Sequence, residues 1–205
     1  AYSYGGAPLL VQTLQPLIDV PIDHVVIVDF DSFKAMTDSI GGVDVQVTEA
    51  GGGFTAGTTH MDGEQGLRFV RERYSLSQGD ISRGERQMQF VKAVMLKALS
   101  RDTLTNPARL ANFVDAATTN LTVDEDLKVS QMRNLGLSMR DVRGRDVHFS
   151  QGPWCSIADH PVAGSIILMA KSQMKELSQR LRSDTMEDYV DTVSPKSGFG
   201  GGNCN

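Results

Sequence analysis

Nowhere in these 205 residues do apolar side chains run together for the roughly 18 positions that a membrane-spanning helix needs. A cleavable secretory leader is also missing. The chain opens on Ala1-Tyr2-Ser3-Tyr4-Gly5-Gly6, without a methionine and in sequence that looks like the middle of a helix. It therefore reads as a processed product whose targeting segment, if it has one, lies upstream. Histidine is sparse. His24, His60, His148 and His160 are scattered, with no HExxH or paired-ligand spacing, which argues against zinc. GxGxxG, Walker-type and GxSxG loops are all absent, removing the usual sequence marks of dinucleotide binding, nucleotide hydrolysis and a serine nucleophile elbow. Positive charge is in the minority as well: 20 Lys and Arg face 25 Asp and Glu, for a net charge of −5. That balance, with no helix-turn-helix pattern, weighs against a transcription regulator or a general nucleic-acid binder.

Cysteine is limited to Cys155 and Cys204. A disulfide between them would tie the Gly-rich tail (Gly198–Gly202) to the loop at Gly152–Cys155, contributing at most about 4 kcal/mol in the chain-entropy model. A cysteine in a flexible tail favours such a bridge, and two unpaired thiols are the alternative.

A hydrophobic fraction of 40% with 22% charged residues suits a soluble globular protein, and the length suffices for one domain with a sizeable core. The flanks of Pro8–Pro16 suggest an apolar-faced helix ending before Pro21. His24–Asp29 reads as a buried strand, and Asp31-Ser32 starts a helix with Phe33, Met36, Thr37 and Ile40 on one face, stopped by Gly41-Gly42. Val43–Val47 alternates as a strand, followed by a hairpin-type Gly-rich loop over Thr48–Thr58. A short helix is expected over Asp62–Val70, then a polar loop over Tyr74–Gly79. A long helix to about Ser100 would bury Met88, Val91, Met95 and Leu99. Further helices are read at Asn106–Thr118 and Lys128–Val142, a strand at Val147–Phe149, a loop at Trp154–Pro161 and a helix at Val162–Leu181. Short strands alternating with longer helices indicate an α/β fold.

One stretch departs from the composition around it. Between Arg68 and Arg86 lie five arginines and no lysine, giving a local balance of +2 against Glu72, Asp80 and Glu85. Arginine is a rigid planar fork suited to bidentate contact with phosphate or carboxylate oxygens, so an all-arginine cluster in an acidic chain points to recognition of one anion. Arg71 and Arg73 alternate across Glu72 and would point the same way in an extended segment. Asp80 and Ser82 are N-cap residue types, and Ser82-Arg83-Gly84-Glu85 fits a capping box, which would place Arg83 in a first helical turn with Arg86 beside it and Gln87 four residues on. Such arginines could converge on a multiply charged group such as a diphosphate. From spacing alone, a specific anion site and a solvated charged face remain equally open.

The run Gly57-x3-Met61-Asp62-Gly63-Glu64-Gln65-x-Leu67-x-Phe69-Val70-Arg71-x-Arg73, followed by Gly79-Asp80-x2-Arg83-x2-Arg86-Gln87, resembles the signature of the LytR-CpsA-Psr family. Ala1–Gly6 resembles that family's AYxYGG segment, and Val28-Asp29-Phe30-x2-Phe33 with Gly41-Gly42-Val43-Asp44-Val45 resembles its strand–helix–GGVDV unit. The match covers about residues 1–100 in order; the remainder agrees only in coarse pattern.

The resemblance implies a three-layer α-β-α domain around a mixed central sheet, here lacking its N-terminal strands. It would occupy residues 1–193, with 194–205 as a tail. It implies a phosphotransferase on the extracytoplasmic face of the bacterial plasma membrane, held there by an N-terminal anchor absent from this sequence. Such an enzyme moves a glycopolymer from a polyprenyl-diphosphate carrier to peptidoglycan. Carried onto this sequence, Arg71, Arg73, Arg83 and Gln87 would hold the diphosphate and Asp80 would orient them, with Arg68 and Arg86 in support. The family's Mg2+ is held by carboxylates that precede the AYxYGG segment, so its ligands are expected upstream of this chain, and the 205-residue stretch alone is expected to be inactive. Asp124-Glu125-Asp126 reads as a loop or helix-start charge run rather than a substitute metal site. The resemblance leaves the glycopolymer open among arabinogalactan, teichoic acid and capsule. A non-catalytic module that binds phosphorylated polyprenyl lipid or glycan is the competing reading.

Overall fold

In the computed structural model the described residues are 1–139, 141–147, 149, 152–187 and 204. They fall in two compact units, one comprising Val26–Phe149 and the other Ala1–Val25 with Ser150–Asn205. The mixed helix–strand composition expected from the sequence is found, and the described strands form three two-stranded antiparallel ladders. Among the described residues no helix is long and apolar enough to cross a membrane.

The Val26–Phe149 unit is organised around a β-hairpin. Strand β2 (Val43–Val47) pairs with β3 (Gly57–Met61) in a register running from Val43↔Met61 to Val47↔Gly57. Val43, Val45 and Val47 are buried and Asp44 and Gln46 exposed, as period-two alternation requires. Helix α2 (Phe30–Ser39) is capped by Asp29, whose Oδ1 accepts from the Ser32 N–H and from the Ser32 hydroxyl, both at 2.7 Å. Helix α3 (Gly63–Arg71) begins with a capping box in which Asp62 accepts from Gln65 N–H at 2.8 Å and the Gln65 side chain reaches back to Asp62 N–H at 3.1 Å. Helix α4 (Asp80–Ala98) closes the core. Ile40, Val43, Val45, Val47, Met61, Leu67, Phe69, Val70 and Phe90 form one cluster, each large side chain contributing about 1.5–3 kcal/mol by leaving water. The contact of α3 on α4 depends on Gly66: a Cβ there would lie 2.4 Å from the Phe90 ring.

Three expectations are corrected in this unit. The first strand, β1 (Val26–Val28), pairs with β4 (Leu121–Val123), but Val26 and Val28 are exposed rather than buried. The buried face of α4 carries Ile81, Ser82, Arg86 and Phe90, whereas Val91 is exposed. Helix α4 also starts at Asp80, not Ser82, because Gly79 with φ 53° and ψ −114° turns the chain directly into it, so the capping box read at Ser82–Glu85 does not form. Past α4 come a short α5 (Arg101–Leu104), α6 (Pro107–Asn120), whose N-cap Asn106 accepts from Ala108 and Arg109 N–H, and α7 (Val129–Ser138). Asp124 accepts from the N–H groups of Asp126 and Leu127, so the acidic run is a turn. His148 is not among the described residues, and the strand read at Val147–Phe149 lies partly outside them.

The other unit contains α1 (Tyr2–Ile18), kinked at Gly5 and Gly6, together with a hairpin of β5 (Trp154–His160) and β6 (Gly164–Met169), and helix α8 (Lys171–Ser183). The loop read at Trp154–Pro161 is thus a strand, and the helix read from Val162 begins only at Lys171. Gly164 at φ 70° opens β6 directly after the turn at 161–163 and pairs with His160. Arg182 is paired with Asp19 at 2.7 Å. Cys155 and Cys204 form a disulfide, with their Cα atoms 5.4 Å apart. Apart from Cys204 and the start at 184–187, the chain after α8, including the Gly-rich run at 198–202, lies outside the described residues.

Candidate active site

The arginine stretch occupies the C-terminus of α3, the connection after it and the first turn of α4. Helix α3 ends at Arg71, and Glu72 takes up extended geometry with φ −65° and ψ 136°. This change from helix to extended chain separates the side chains of Arg71, Glu72 and Arg73. The Glu72 side chain packs over Gly52 in the turn after β2, and its Oε1 accepts from Ser75 N–H at 3.0 Å. That bond, with further backbone N–H donors from Tyr74 and Arg73, holds its pKa below the ordinary value against the opposing effect of burial.

Arg73 and Arg83 meet on one carboxylate oxygen. Asp80 Oδ1 lies 3.3 Å from Arg73 Nη1 and 3.3 Å from Arg83 Nη2. Arg73 is held a second time, since its Nη2 donates to the Tyr74 hydroxyl at 2.9 Å and its guanidinium lies 4.7 Å from the Tyr74 ring centre. The bonds to Tyr74 and Asp80 raise the pKa of a guanidinium that is already cationic. All three members of the Arg73–Asp80–Arg83 group remain open to solvent, with side-chain exposures of 41%, 54% and 33%. Arg71 is exposed and stacks on Phe30 at 4.7 Å. Gln87, one turn beyond Arg83, donates from Nε2 to the Val70 carbonyl at 3.3 Å and ties α4 to the end of α3. All seven residues singled out from the sequence thus lie on α3, the connection and the start of α4, with Arg73, Asp80 and Arg83 in direct contact.

Arg68 and Arg86 belong to different surroundings. The Arg68 guanidinium lies 6.0 Å from the Phe54 ring. Arg86, expected to support substrate binding, is only 2% exposed. Its guanidinium lies 4.5 Å from the Phe69 ring and 5.7 Å from Phe54, and its Nη2 donates to the carbonyls of Glu49 and Gly51 at 2.9 and 3.0 Å. Burial lowers its pKa, with the charges of Glu49 and Glu72 working the other way. The spacing held a signal for this role: Ser82, Arg86 and Phe90 recur every four residues, which puts Arg86 on the buried stripe.

Sequence reasoning missed Glu49, Phe30 and Tyr74. Phe30 and Tyr74 are exposed aromatics whose partners are arginines, a pairing that spacing does not reveal. Among the described residues no group of three or more His, Cys, Asp or Glu side chains is placed to hold a metal ion.

A model of the LytR_cpsA_psr family matches residues 1–183. The cell wall biosynthesis protein LcpA of Corynebacterium glutamicum is 31% identical over 159 residues, covering 75% of this chain and 30% of LcpA. The polyisoprenyl-teichoic acid–peptidoglycan teichoic acid transferase TagU of Enterococcus faecalis is 30% identical over 149 residues, covering 71% of this chain and 48% of TagU. The chain thus spans less than half the length of these curated relatives. The crystal structure of TagV from Bacillus subtilis shares the fold with a TM-score of 0.75 at 24% identity, over 90% of this chain and 72% of TagV. With the family match extending from the first residue through α8, the chain belongs to the LytR_cpsA_psr family.

Proposed function

We propose that this chain carries the diphosphate-gripping part of a glycopolymer phosphotransferase acting in bacterial cell-wall assembly. The observation that carries the reading is the sharing of Asp80 Oδ1 by Arg73 and Arg83. Two arginines from separate segments are held side by side, in the open, against a single anionic oxygen. Exposed ion pairs of this kind contribute only about 0–1 kcal/mol, so exchanging the carboxylate for a diphosphate costs little. Each guanidinium can then make the shorter, bidentate contacts that phosphate oxygens allow. Arg71, at the end of α3, and Gln87, in the second turn of α4, are proposed to belong to the same site. The names of the relatives LcpA and TagU, one a cell wall biosynthesis protein and the other a teichoic acid transferase, support the same direction.

The substrate on this reading is a glycan carried on polyprenyl diphosphate, and the acceptor is peptidoglycan. An acceptor hydroxyl oxygen forms the new bond to the phosphorus that bears the glycan. The phosphoanhydride bond breaks to release polyprenyl monophosphate, and the hydroxyl proton passes to solvent. Phosphoryl transfer is dominated by positioning and by neutralising charge on phosphate oxygens, and clustered arginines supply both. Magnesium is the proposed cofactor, on ligands outside the described residues. The domain is proposed to span 1–193, with the 194–205 tail joined to it by the Cys155–Cys204 bridge, which suits an oxidising compartment such as the outer face of the plasma membrane. Membrane anchoring would come from upstream sequence.

The test is glycan transfer from a polyprenyl-diphosphate donor by the full-length protein and by its Arg73→Ala variant. Loss of one preorganised charge contact should slow transfer by roughly 10²–10³-fold. Transfer at the parental rate by folded Arg73→Ala protein would remove the reading. A protein that binds the carrier lipid without ever forming product would point instead to a binding module. The 205-residue stretch by itself is expected to show no turnover in the same assay.

A further inference from the structure

Glu49 lies just beyond β2, outside the arginine stretch, and nothing in its sequence context marks it. Its carboxylate accepts one hydrogen bond from the segment that leads into α4, from Ser77 N–H on Oε1 at 2.5 Å, and one from the first turn of α4, from the Ser82 hydroxyl on Oε2 at 2.7 Å. Its carbonyl, together with that of Gly51, accepts from Arg86 Nη2. Partial burial would raise the carboxyl pKa. The bonds from Ser77 and Ser82 and the charge of Arg86 outweigh that and hold it below the ordinary glutamate value.

The positions of these bonds matter more than their number. Ser77 precedes Asp80 and Ser82 follows it, so the Glu49 carboxylate brackets the residue on which Arg73 and Arg83 meet. Between the two anchored serines lies Gly79, in the positive-φ conformation that launches α4. Such a turn has many alternatives once its ends are released. Arg83 follows Ser82 directly, so movement of the anchored turn moves the guanidinium. The anchor is itself fixed, since Arg86 on α4 holds the backbone on either side of Ala50.

We propose that Glu49 is a positioning residue for the diphosphate site. It sets the Ser77–Ser82 turn and, through it, the spacing of Arg73, Asp80 and Arg83. The inference rests on the diphosphate reading of those arginines. Displacements of around 1 Å in a phosphate-gripping group are enough to lose most of its contribution.

The experiment is calorimetric titration of farnesyl diphosphate into the full-length protein and its Glu49→Ala, Glu49→Gln, Ser82→Ala, Arg83→Ala and Glu49→Ala/Arg83→Ala variants. Glu49→Ala and Arg83→Ala should each weaken binding about tenfold or more, while the double variant should be no more than about threefold weaker than Arg83→Ala, because residues acting through one contact are not additive. Glu49→Gln keeps an oxygen for Ser77 N–H and a polar partner for Ser82, and should recover most of the affinity. Should Glu49→Ala fail to fold, Ser82→Ala, which removes a single anchor, takes its place in the cycle. Full additivity of the two changes, or parental affinity in folded Glu49→Ala and Ser82→Ala proteins beside a weakened Arg83→Ala, overturns the positioning role alone. Parental affinity in Arg83→Ala overturns the diphosphate reading, and the positioning role with it.

Discussion

The Glu72 side chain occupies the space that any side chain at Gly52 would need: a Cβ at Gly52 would lie 2.7 Å from Glu72 Cγ. The neighbouring Gly51 is equally confined, with a Cβ there falling 2.8 Å from Ser75 Oγ. The turn after β2 therefore serves as a mould for Glu72–Leu76, with the Glu72 side chain seated on it between Arg71 and Arg73. Gly52 also has φ 59°, which an L side chain adopts only at a cost. Gly52→Ala should lower stability by about 1–3 kcal/mol. Chemical denaturation would measure it, and an unchanged midpoint would show that the turn yields without strain.

Arg86 should behave as a structural residue. Replacing it with Met removes the donor to the Glu49 and Gly51 carbonyls and the cation between two aromatic rings. Leaving a buried polar group without its partner costs about 1–3 kcal/mol. Arg86→Met should melt earlier than the parent, and Arg86→Lys should rescue it poorly because an ammonium cannot reproduce the planar fork. A variant that keeps its melting temperature but loses ligand affinity would return Arg86 to the binding surface.

Periodicity makes β2 legible, since Val43–Val47 alternates, whereas α2 begins at Phe30 under the Asp29 cap rather than at Asp31-Ser32. The start of α4 was harder, because two acceptable capping residues, Asp80 and Ser82, stand close together and the deciding feature is the backbone angle of Gly79. Ile166–Met169 is an apolar run too short for periodicity to separate strand from helix, and the disulfide-bearing strand pairs with it in a register no local signal announces. At the site, Arg71, Arg73, Asp80, Arg83 and Gln87 could be picked out because they cluster in sequence. Glu49 could not, since its contacts with Ser77 and Ser82 join positions 28 and 33 residues apart.

The Cys155–Cys204 bridge closes a sequence separation of 49 residues. In the chain-entropy model a loop of that size is worth up to about 4 kcal/mol. Cys155→Ser/Cys204→Ser should therefore unfold at lower temperature than the oxidised parent, and the parent under reducing conditions should match it. Identical melting with and without reductant would assign the bridge no stabilising role.

Glu49 gives stability a definite pH dependence. Its pKa in the folded protein lies below the ordinary value of 4.5, so the unfolded chain takes up the proton first as pH falls. The carboxylate's contribution is complete above that ordinary value and is lost as pH drops through the folded one. Glu49→Gln should be less stable than the parent near neutral pH, and the two stability curves should converge in acid. Parallel curves across the acid limb would show that the carboxylate's charge is not what the Ser77 and Ser82 bonds depend on.

Arg73 and Arg83, joined through Asp80, are proposed to be built for a diphosphate. The most direct test of this proposal is calorimetric titration of the full-length protein with farnesyl diphosphate and, separately, farnesyl monophosphate. The diphosphate should bind about tenfold or more tightly, equivalent to roughly 1.4 kcal/mol, and Arg73→Ala should abolish that preference without changing the melting temperature. Equal affinity for the two ligands, or an undiminished preference in Arg73→Ala, would contradict it.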